Sequence, residues 1–472
     1  MLKQLAGCVR EYKRPTILTL IFIVGEAVIE TIIPFITANL VNRIKAGASI
    51  ESVMEVGLLL IIMAAISLVC GGLAGFTCAK ASTGFAKNLR SDLFHRIQTY
   101  SFENIDKFSS SSLVTRMTTD VTNVQMAFMM LIRIAIRSPL LLIFSTVMAF
   151  VMGGKLAFVF VVVIPILALG LLAIGKKAMP AFRSVFKKYD RLNESIEENV
   201  RGMRVVKGFS REEYEKQKFN TAADNIRKDF TKAECIVALN TPLMNLCMYI
   251  NMVVVLLVGS KLAITSGGSA LDVGQISGML TYGMQILMSL MMLSMIYVMV
   301  TMSAESAKRI CEVLEEEPSL KEPENPVMEV KNGSIEFKNV NFKYSAKAKK
   351  YALSDIDLSI RSGMTVGIIG GTGSSKSSLV QLIPRLYDVT EGAVLVGGMD
   401  VRSYDIPALR SAVAMVLQKN VLFSGTIKDN LRWGNETATD EEIREACRLS
   451  QADEFIQTFP DKYDTYIEQG GS

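Results

Sequence analysis

A loop rich in glycine and serine, with one lysine, carries the strongest chemical signal in the sequence. Residues 370–378 read GGTGSSKSS, and small residues of this kind let successive backbone N–H groups surround phosphate oxygens. Lys376 can reach the β- and γ-phosphates of a nucleotide, and Ser377 can place its hydroxyl on Mg²⁺. We therefore expect ATP and Mg²⁺ to bind to consecutive residues of this loop, namely Gly371, Thr372, Gly373, Ser374, Ser375, Lys376, Ser377 and Ser378.

The elements on either side of the loop must hold it in place. The apolar run Val366–Ile369 predicts a buried strand before it, and Ser378–Tyr387 predicts a helix after it. The motif G-x-x-x-x-G-K-[ST] requires glycine at position 375, where this chain has serine. Because a Gly/Ser turn before a helix is common in proteins, the loop alone leaves a purely structural role open.

The composition of the chain favours a membrane protein. Half of its 472 residues are hydrophobic and cluster in spans near bilayer length, which outweighs the roughly three soluble domains expected from length. The net charge of +5 is modest and gives no reason to expect nucleic-acid binding. The seven cysteines form no CxxC pair, which fits a reducing compartment and predicts neither disulfides nor a metal site.

Six apolar stretches predict transmembrane helices: Thr16–Val41, Val56–Ala79, Phe128–Met152, Leu156–Gly175, Ile236–Ile264 and Ile276–Val300. With spans 1–2, 3–4 and 5–6 joined outside, the outer loops hold only four basic residues: Arg43, Lys45, Lys155 and Lys261. The segment between spans 4 and 5 alone holds fifteen. The positive-inside rule therefore places both termini in the cytoplasm, with the chain in the cytoplasmic (inner) membrane.

Several helices are predicted to extend well beyond the membrane. Glu51–Asp106 can form one helix of roughly 80 Å at 1.5 Å per residue, of which about 30 Å crosses the hydrocarbon core. Lys155–Gly208 and Glu212–Ile264 have the same character. The turns near Asn104–Ser112 and Val206–Glu213 are either short elements that contact a cytoplasmic domain or plain helix hairpins.

Two pairs of charged residues lie deep inside the predicted spans 1 and 3. Glu26 and Glu30 are four residues apart in span 1, and Arg133 and Arg137 are four apart in span 3, at similar depth. Because an unpaired charge at this depth is costly, we expect an ion pair between the helices, with a polar position in a substrate path as the alternative.

Methionines follow one face of span 6 at steps of three and four residues: Met284, Met288, Met291, Met295, Met299 and Met302. This face predicts either ordinary packing and lipid contact or the lining of a cavity for varied hydrophobic ligands.

The two ends of the membrane region have distinct compositions. Met1–Arg14 alternates apolar and basic residues and predicts an amphipathic helix on the cytoplasmic membrane surface. After residue 317 a linker rich in proline and glutamate is predicted over 318–329, followed by an α/β domain over 330–472. Besides the strand before the loop, this domain is predicted to contain strands at Ser334–Tyr344, Leu353–Ile360, Ala393–Val396 and Val413–Leu417 and a helix at Glu441–Leu449.

Taken together, these residues resemble the ATP-binding cassette (ABC) transporters, specifically bacterial, multidrug-exporter-like half-transporters with a six-helix membrane domain (1–317) fused to a P-loop nucleotide-binding domain. GGTGSSKSS is similar to the family's Walker A loop, with Ser375 as a variant. The resemblance implies that Tyr344, in NFKYS, stacks on adenine. It also implies that Gln418, in VLQKNVLFSGTIKDNL, senses Mg²⁺ and the γ-phosphate and couples them to the membrane turns.

The sequence departs from the family pattern at its C-terminal end. It stops at Ser472 in EQGGS, before the signature motif, the Walker B aspartate, the catalytic glutamate and the switch histidine, and its one histidine is His95. We therefore assign no catalytic residue. On this pattern the chain is expected to be a fragment of a longer protein or a broken copy, for which hydrolysis by the chain alone is doubtful.

The resemblance implies that two half-transporters dimerise, hold ATP between their nucleotide-binding domains and export amphipathic or hydrophobic compounds by alternating access. The ending EQGGS weakly favours a heterodimer over a homodimer. Export of lipid or peptide rather than drugs stays open, as does a nucleotide-binding membrane module that does not hydrolyse ATP, such as a regulator or channel.

Overall fold

The computed structural model describes residues 2–267, 271–345, 348–417 and 421–468, and the chain divides into two compact units. The first comprises Met1–Tyr100 and Asn104–Pro318, and the second comprises Ser101–Glu103 and Ser319–Ser472. The extents 1–317 and 330–472 for a membrane domain and a nucleotide-binding domain stay a prediction.

The first unit is built of α-helices. In chain order they are α1 (Leu2–Gly7), α2 (Lys13–Lys45), α3 (Ile50–Gln98), α4 (Phe102–Phe108, which begins in the second unit), α5 (Ser110–Thr115), α6 (Val121–Gly153), α7 (Phe158–Arg201), α8 (Met203–Gly208), α9 (Glu212–Ala238), α10 (Asn240–Thr265) and α11 (Val273–Glu315).

In the described part of the chain, five helical stretches are long and apolar enough to cross a membrane: Arg10–Lys45, Ile50–Gln98, Ser110–Val185, Glu212–Thr265 and Val273–Glu315. Each predicted span lies inside one of these stretches, and the third contains both span 3 and span 4. The backbone breaks between them at Gly154, whose φ of +50° ends α6. Leu142 of α6 packs with Val163 and Leu167 of α7, so the two helices lie side by side.

The long helices end earlier than their sequences predict. The prediction of one helix over Glu51–Asp106 is wrong, because α3 ends at Gln98 after 49 residues. Tyr100 is buried and its hydroxyl donates to Val313 O at 2.7 Å, which anchors the chain at this break. Similarly, Glu212–Ile264 divides at Leu239. Pro242 follows closely and has no N–H to continue the hydrogen-bond pattern of α9.

The N-terminal segment is amphipathic, as predicted, but its apolar face is covered by protein rather than left for the membrane surface. Leu5, Cys8 and Val9 are buried in one cluster with residues of α3 and α11, among them Leu89 and Ile310. Burial is the main reason why the pKa of the Cys8 thiol rises to about 11, and its contact with Asp92 adds to the effect. The spacing of apolar residues predicted which face of the N-terminal segment is apolar, but not that α3 and α11 would cover that face.

A buried carboxylate joins α6 to α11. Asp120 is fully buried at the end of a π-helical turn, Arg116–Asp120. Arg309 Nε donates to its Oδ2 at 2.8 Å and Arg309 Nη2 donates to its Oδ1, while the Ser306 hydroxyl donates to Oδ1 at 2.8 Å. These contacts fix the two helices against each other outside the predicted spans.

The second unit contains an antiparallel sheet in the order β2-β1-β3-β4. Its strands are β1 (Ile335–Phe342), β2 (Leu353–Ile360), β3 (Glu391–Val396) and β4 (Met399–Asp400), and β5 (Gly425–Thr426) pairs separately with β6 (Tyr466–Ile467). Its helices are α12 (Lys376–Leu382), α13 (Ile406–Ala412), α14 (Ile427–Leu431), α15 (Asp440–Leu449) and α16 (Asp453–Ile456).

The alternating strands of this unit match their predictions, and the two continuous apolar runs do not. β1, β2, β3 and α15 lie where their patterns place them, with Phe337, Phe342 and Val394 in the core. Val366–Ile369 and Val413–Leu417 form no strand in the structure, and Ile369 and Val416 are 98% and 89% exposed. A buried strand needs a hydrogen-bonded neighbouring strand, and among the described residues no strand pairs with either run. Helix α12 is also shorter than predicted.

Candidate functional site

The lysine of the glycine- and serine-rich loop contacts the loop itself. Lys376 Nζ donates to the carbonyl oxygens of Gly370 and Gly371, both at 2.8 Å, and lies 3.3 Å from Ser374 Oγ. These acceptors carry no net charge, so they attract the ammonium group less strongly than a negatively charged phosphate would. The contacts show that Lys376 reaches the residues whose backbone would surround a phosphate.

The backbone of the loop turns twice through the left-handed region. Gly373 has a φ of +84°, and Ser375 has φ +60° and ψ +24° immediately before α12. Glycine adopts this conformation freely, whereas a side chain there costs roughly 1–2 kcal/mol. Ser375 therefore keeps the local geometry for which the motif requires glycine, at an energetic cost.

The predicted adenine-stacking residue is connected to the helix that follows the loop. The Tyr344 hydroxyl lies 2.7 Å from Ser378 Oγ and donates to Gln381 Oε1 at 3.2 Å. Its ring contacts those of Phe342 and Tyr387 edge to face, with centroids 4.8 and 5.2 Å away. Tyr344 is still 42% exposed, so part of the ring is open to a ligand.

The structure thus joins Tyr344 to Ser378, the last of the predicted loop residues Gly371–Ser378. Gln418 lies outside the described residues, so its predicted role at Mg²⁺ stays a prediction. In the described part of the chain, no cluster of three or more His, Cys, Asp or Glu side chains forms a metal centre. The loop fits Mg²⁺ in another way, since this ion is commonly held by few protein ligands together with substrate phosphates, and Ser377 is exposed.

Comparison with known protein families supports the chemistry suggested by this geometry. Residues 16–290 match the family model described as the ABC transporter transmembrane region, and residues 353–468 match a second model described as ABC transporter. The chain belongs to the ABC transporter family. The membrane helices and the nucleotide-binding domain lie in one chain, as expected for an exporter half-transporter.

Individual relatives align over nearly the whole transporter chain. It is 34% identical over 454 residues to the uncharacterized ABC transporter ATP-binding protein YfiB of Bacillus subtilis, covering 96% of this chain and 78% of YfiB. It is 33% identical over 468 residues to the uncharacterized ABC transporter ATP-binding protein Rv1273c of Mycobacterium tuberculosis, covering 98% and 79%. YknU of Bacillus subtilis, with the same description, is 30% identical over 81% of this chain and 65% of its own.

The membrane part of the transporter contains the predicted ion pair. Arg137 Nη2 donates to Glu30 Oε1 at 2.6 Å and lies 3.4 Å from Glu26 Oε1, which joins α6 to α2. Gly71 of α3 leaves room for the Glu26 carboxylate, because an added Cβ would lie 3.1 Å from its Oε1. Arg133 has no ion pair or hydrogen bond among the described residues.

Sequence reasoning missed two features of the transporter. The contact from Tyr344 to Ser378 and Gln381 joins positions more than 30 residues apart, and no local pattern signals it. Asp120 and Arg309 are 189 residues apart, so their pairing has no signature in a single sequence. A buried charge outside a predicted span is visible only once the helices are packed.

Proposed function

We propose that this protein is one half of an ATP-driven exporter of small amphipathic or hydrophobic compounds. The observation that carries the proposal is the continuous similarity to ABC transporters across both the membrane helices and the nucleotide-binding domain. The methionine-containing face of α11 supports an apolar cargo. Met284, Met288, Met295 and Met302 are each at least 45% exposed.

In this proposal the loop binds ATP through its backbone N–H groups and Lys376. Ser377 supplies a hydroxyl to Mg²⁺, which when bound neutralises charge on the β- and γ-phosphates. Tyr344 stacks on the adenine, and Gln418 completes the Mg²⁺ environment. The contact of the Tyr344 hydroxyl with Ser378 supports this arrangement, since it ties the base-binding ring to the phosphate-binding helix.

Coupling to the membrane would use the long helices. Helix α3 has 49 residues, or about 74 Å at 1.5 Å per residue, against about 30 Å of hydrocarbon. Short helices α4 and α8 follow α3 and α7 and overlap the predicted turns near Asn104–Ser112 and Val206–Glu213. We propose that these turns contact nucleotide-binding domains and transmit their closure to the bundle, which then alternates in access.

The proposal places the protein in the cytoplasmic membrane, with both termini in the cytoplasm and a second half-transporter as partner. Residues 468–472, EQGGS, weakly favour a heterodimer, and lipid surrounds the bundle.

ATP-dependent uptake tests this function. The full-length protein, alone and with a candidate partner half, is reconstituted in inside-out-oriented vesicles with a fluorescent amphiphile. The proposal predicts uptake with ATP and Mg²⁺ and none with a non-hydrolysable analogue. ATP binding without hydrolysis or uptake in every combination would favour the non-hydrolysing module instead.

A further inference from the structure

A large cavity opens between three membrane helices of the first unit. It has a volume of about 760 Å³ and is lined by residues of α2, α6 and α11, a size typical of small-molecule sites. Most of its wall is apolar, including Ile33, Pro34, Leu141, Met284 and Met288. Of the predicted methionine face, Met284 and Met288 line it, and Met292 does so in place of Met291.

The charged groups that face this cavity are Glu30, Arg133 and Arg137. Glu30 Oε1 lies 2.6 Å from Arg137 Nη2, and Glu26 Oε1 lies 3.4 Å from the same nitrogen. Arg133 has no ion pair or hydrogen bond within the part of the chain that the structure describes. The lining therefore presents one guanidinium whose donors are unused.

The position of Arg133 favours water or a ligand beside it over lipid. It lies one helical turn from Arg137 on α6, and an arginine at this depth that faced lipid would cost several kcal/mol. Its guanidinium lies beside Gly75 of α3, since a Cβ added at Gly75 would be 3.7 Å from Arg133 Nη1, an ordinary van der Waals distance. The guanidinium is thus accommodated by the bundle without being neutralised by it.

We propose that this cavity binds amphipathic anions, with Arg133 as the ligand for a carboxylate, sulfonate or phosphate headgroup. The planar guanidinium matches such groups with two parallel hydrogen bonds. The apolar tail extends along α6 towards Leu141, about 12 Å away for eight residues of helix. Methionine side chains adapt to tails of varied shape. This inference rests on the proposed export function and names its substrate class.

Binding of a matched pair of probes, measured without nucleotide, tests the inference. The probes are a fluorescently labelled dodecanoate and its methyl ester, which differ only in the charge of the headgroup. Purified full-length protein in phosphatidylcholine nanodiscs is compared with the variants Arg133→Gln and Arg133→Lys. Lys261→Gln is the control, because it removes an exposed cation of α10 that does not line the cavity.

We expect wild type to bind the dodecanoate at least tenfold more tightly than the ester. Arg133→Gln should abolish this preference without changing ester affinity, which also shows that the cavity is intact. Arg133→Lys should restore most of the preference, and Lys261→Gln should leave it unchanged. Equal affinities in wild type, or a preference that survives Arg133→Gln, would overturn the inference. If the anion inference fails, ATP-dependent uptake of the ester would still support the proposed export function. If the anion binds but no probe is taken up, the export function fails while the binding inference stands.

Discussion

Ser375 shows how one residue can depart from a motif and still keep its geometry. The sequence identified the position because the motif requires glycine there, but it could not tell whether the loop would change shape. The structure keeps the left-handed turn, with φ +60°, and thus stores strain in the loop. At the same scale, the partners of Tyr344 were unpredictable, because they depend on how α12 packs beside β1.

Replacing Ser375 with glycine should relieve this strain. We expect Ser375→Gly to raise the free energy of unfolding of the second unit by about 1 kcal/mol, because glycine adopts positive φ without steric cost. Urea unfolding followed by tryptophan fluorescence measures this. The chain has a single tryptophan, Trp433. It lies in this unit and stacks on Phe423, with the two ring centroids 4.3 Å apart.

The matched control is Ser374→Gly, the neighbouring serine, which does not have positive φ. It should give no stabilisation, since glycine there only adds freedom to the unfolded chain. A midpoint for Ser375→Gly equal to or below that of wild type would refute the strain argument.

At the scale of elements, long periodic or apolar segments were predictable and their ends were not. The six spans and the alternating strands β1 and β2 follow from local patterns. The break of α3 at Gln98 depends on Tyr100 reaching Val313. The runs Val366–Ile369 and Val413–Leu417 show the limit of apolar pattern, since a strand exists only where neighbours pair with it. The Asp120–Arg309 pair likewise required the packing of α6 on α11.

Removing the partner of Asp120 should destabilise the helical unit. Arg309→Met leaves a fully buried carboxylate without its bidentate cation, and breaking a buried pair in this way costs about 3–5 kcal/mol. The Arg309 side chain is 47% exposed, so we expect the lower part of that range or slightly less. A thiol-reactive dye that reports exposure of buried cysteines such as Cys247 and Cys311 should show a Tm lower by at least about 5 °C.

The double variant Asp120→Asn with Arg309→Met removes both charges and should recover a large part of the lost stability. Arg309→Lys keeps the positive charge but not the planar guanidinium. Its Tm should therefore lie between those of wild type and Arg309→Met. If the single and double variants melt together, the buried charge does not cause the loss.

At the scale of the whole molecule, family membership follows from motifs and spans that sequence alone displays, and the relatives confirm it. Orientation in the membrane rests on the distribution of basic residues, which is a statistical rule about insertion. In the proposed transport cycle, domain movement would depend on nucleotide and on a partner half, and neither is encoded in a local pattern. Membrane orientation and domain movement therefore need to be tested by experiment.

Labelling from the two sides of the membrane tests the orientation. In a background where the exposed Cys235 is replaced by serine, Ala46→Cys follows α2 and Lys207→Cys lies in α8. We expect a membrane-impermeant maleimide to label Ala46→Cys in intact cells and Lys207→Cys only after lysis. The opposite pattern would invert the predicted topology.

The measurement that tests the central claim most directly is ATP-dependent uptake of a fluorescent amphiphile by vesicles containing the full-length transporter or its Lys376→Ala variant. Lys350→Ala removes a similarly charged, exposed side chain of the same unit and is the control. The account predicts that Lys376→Ala lowers uptake at least tenfold, because the phosphates lose their cation, while Lys350→Ala stays within twofold of wild type. Uptake by Lys376→Ala equal to that of wild type would show that this loop does not power transport.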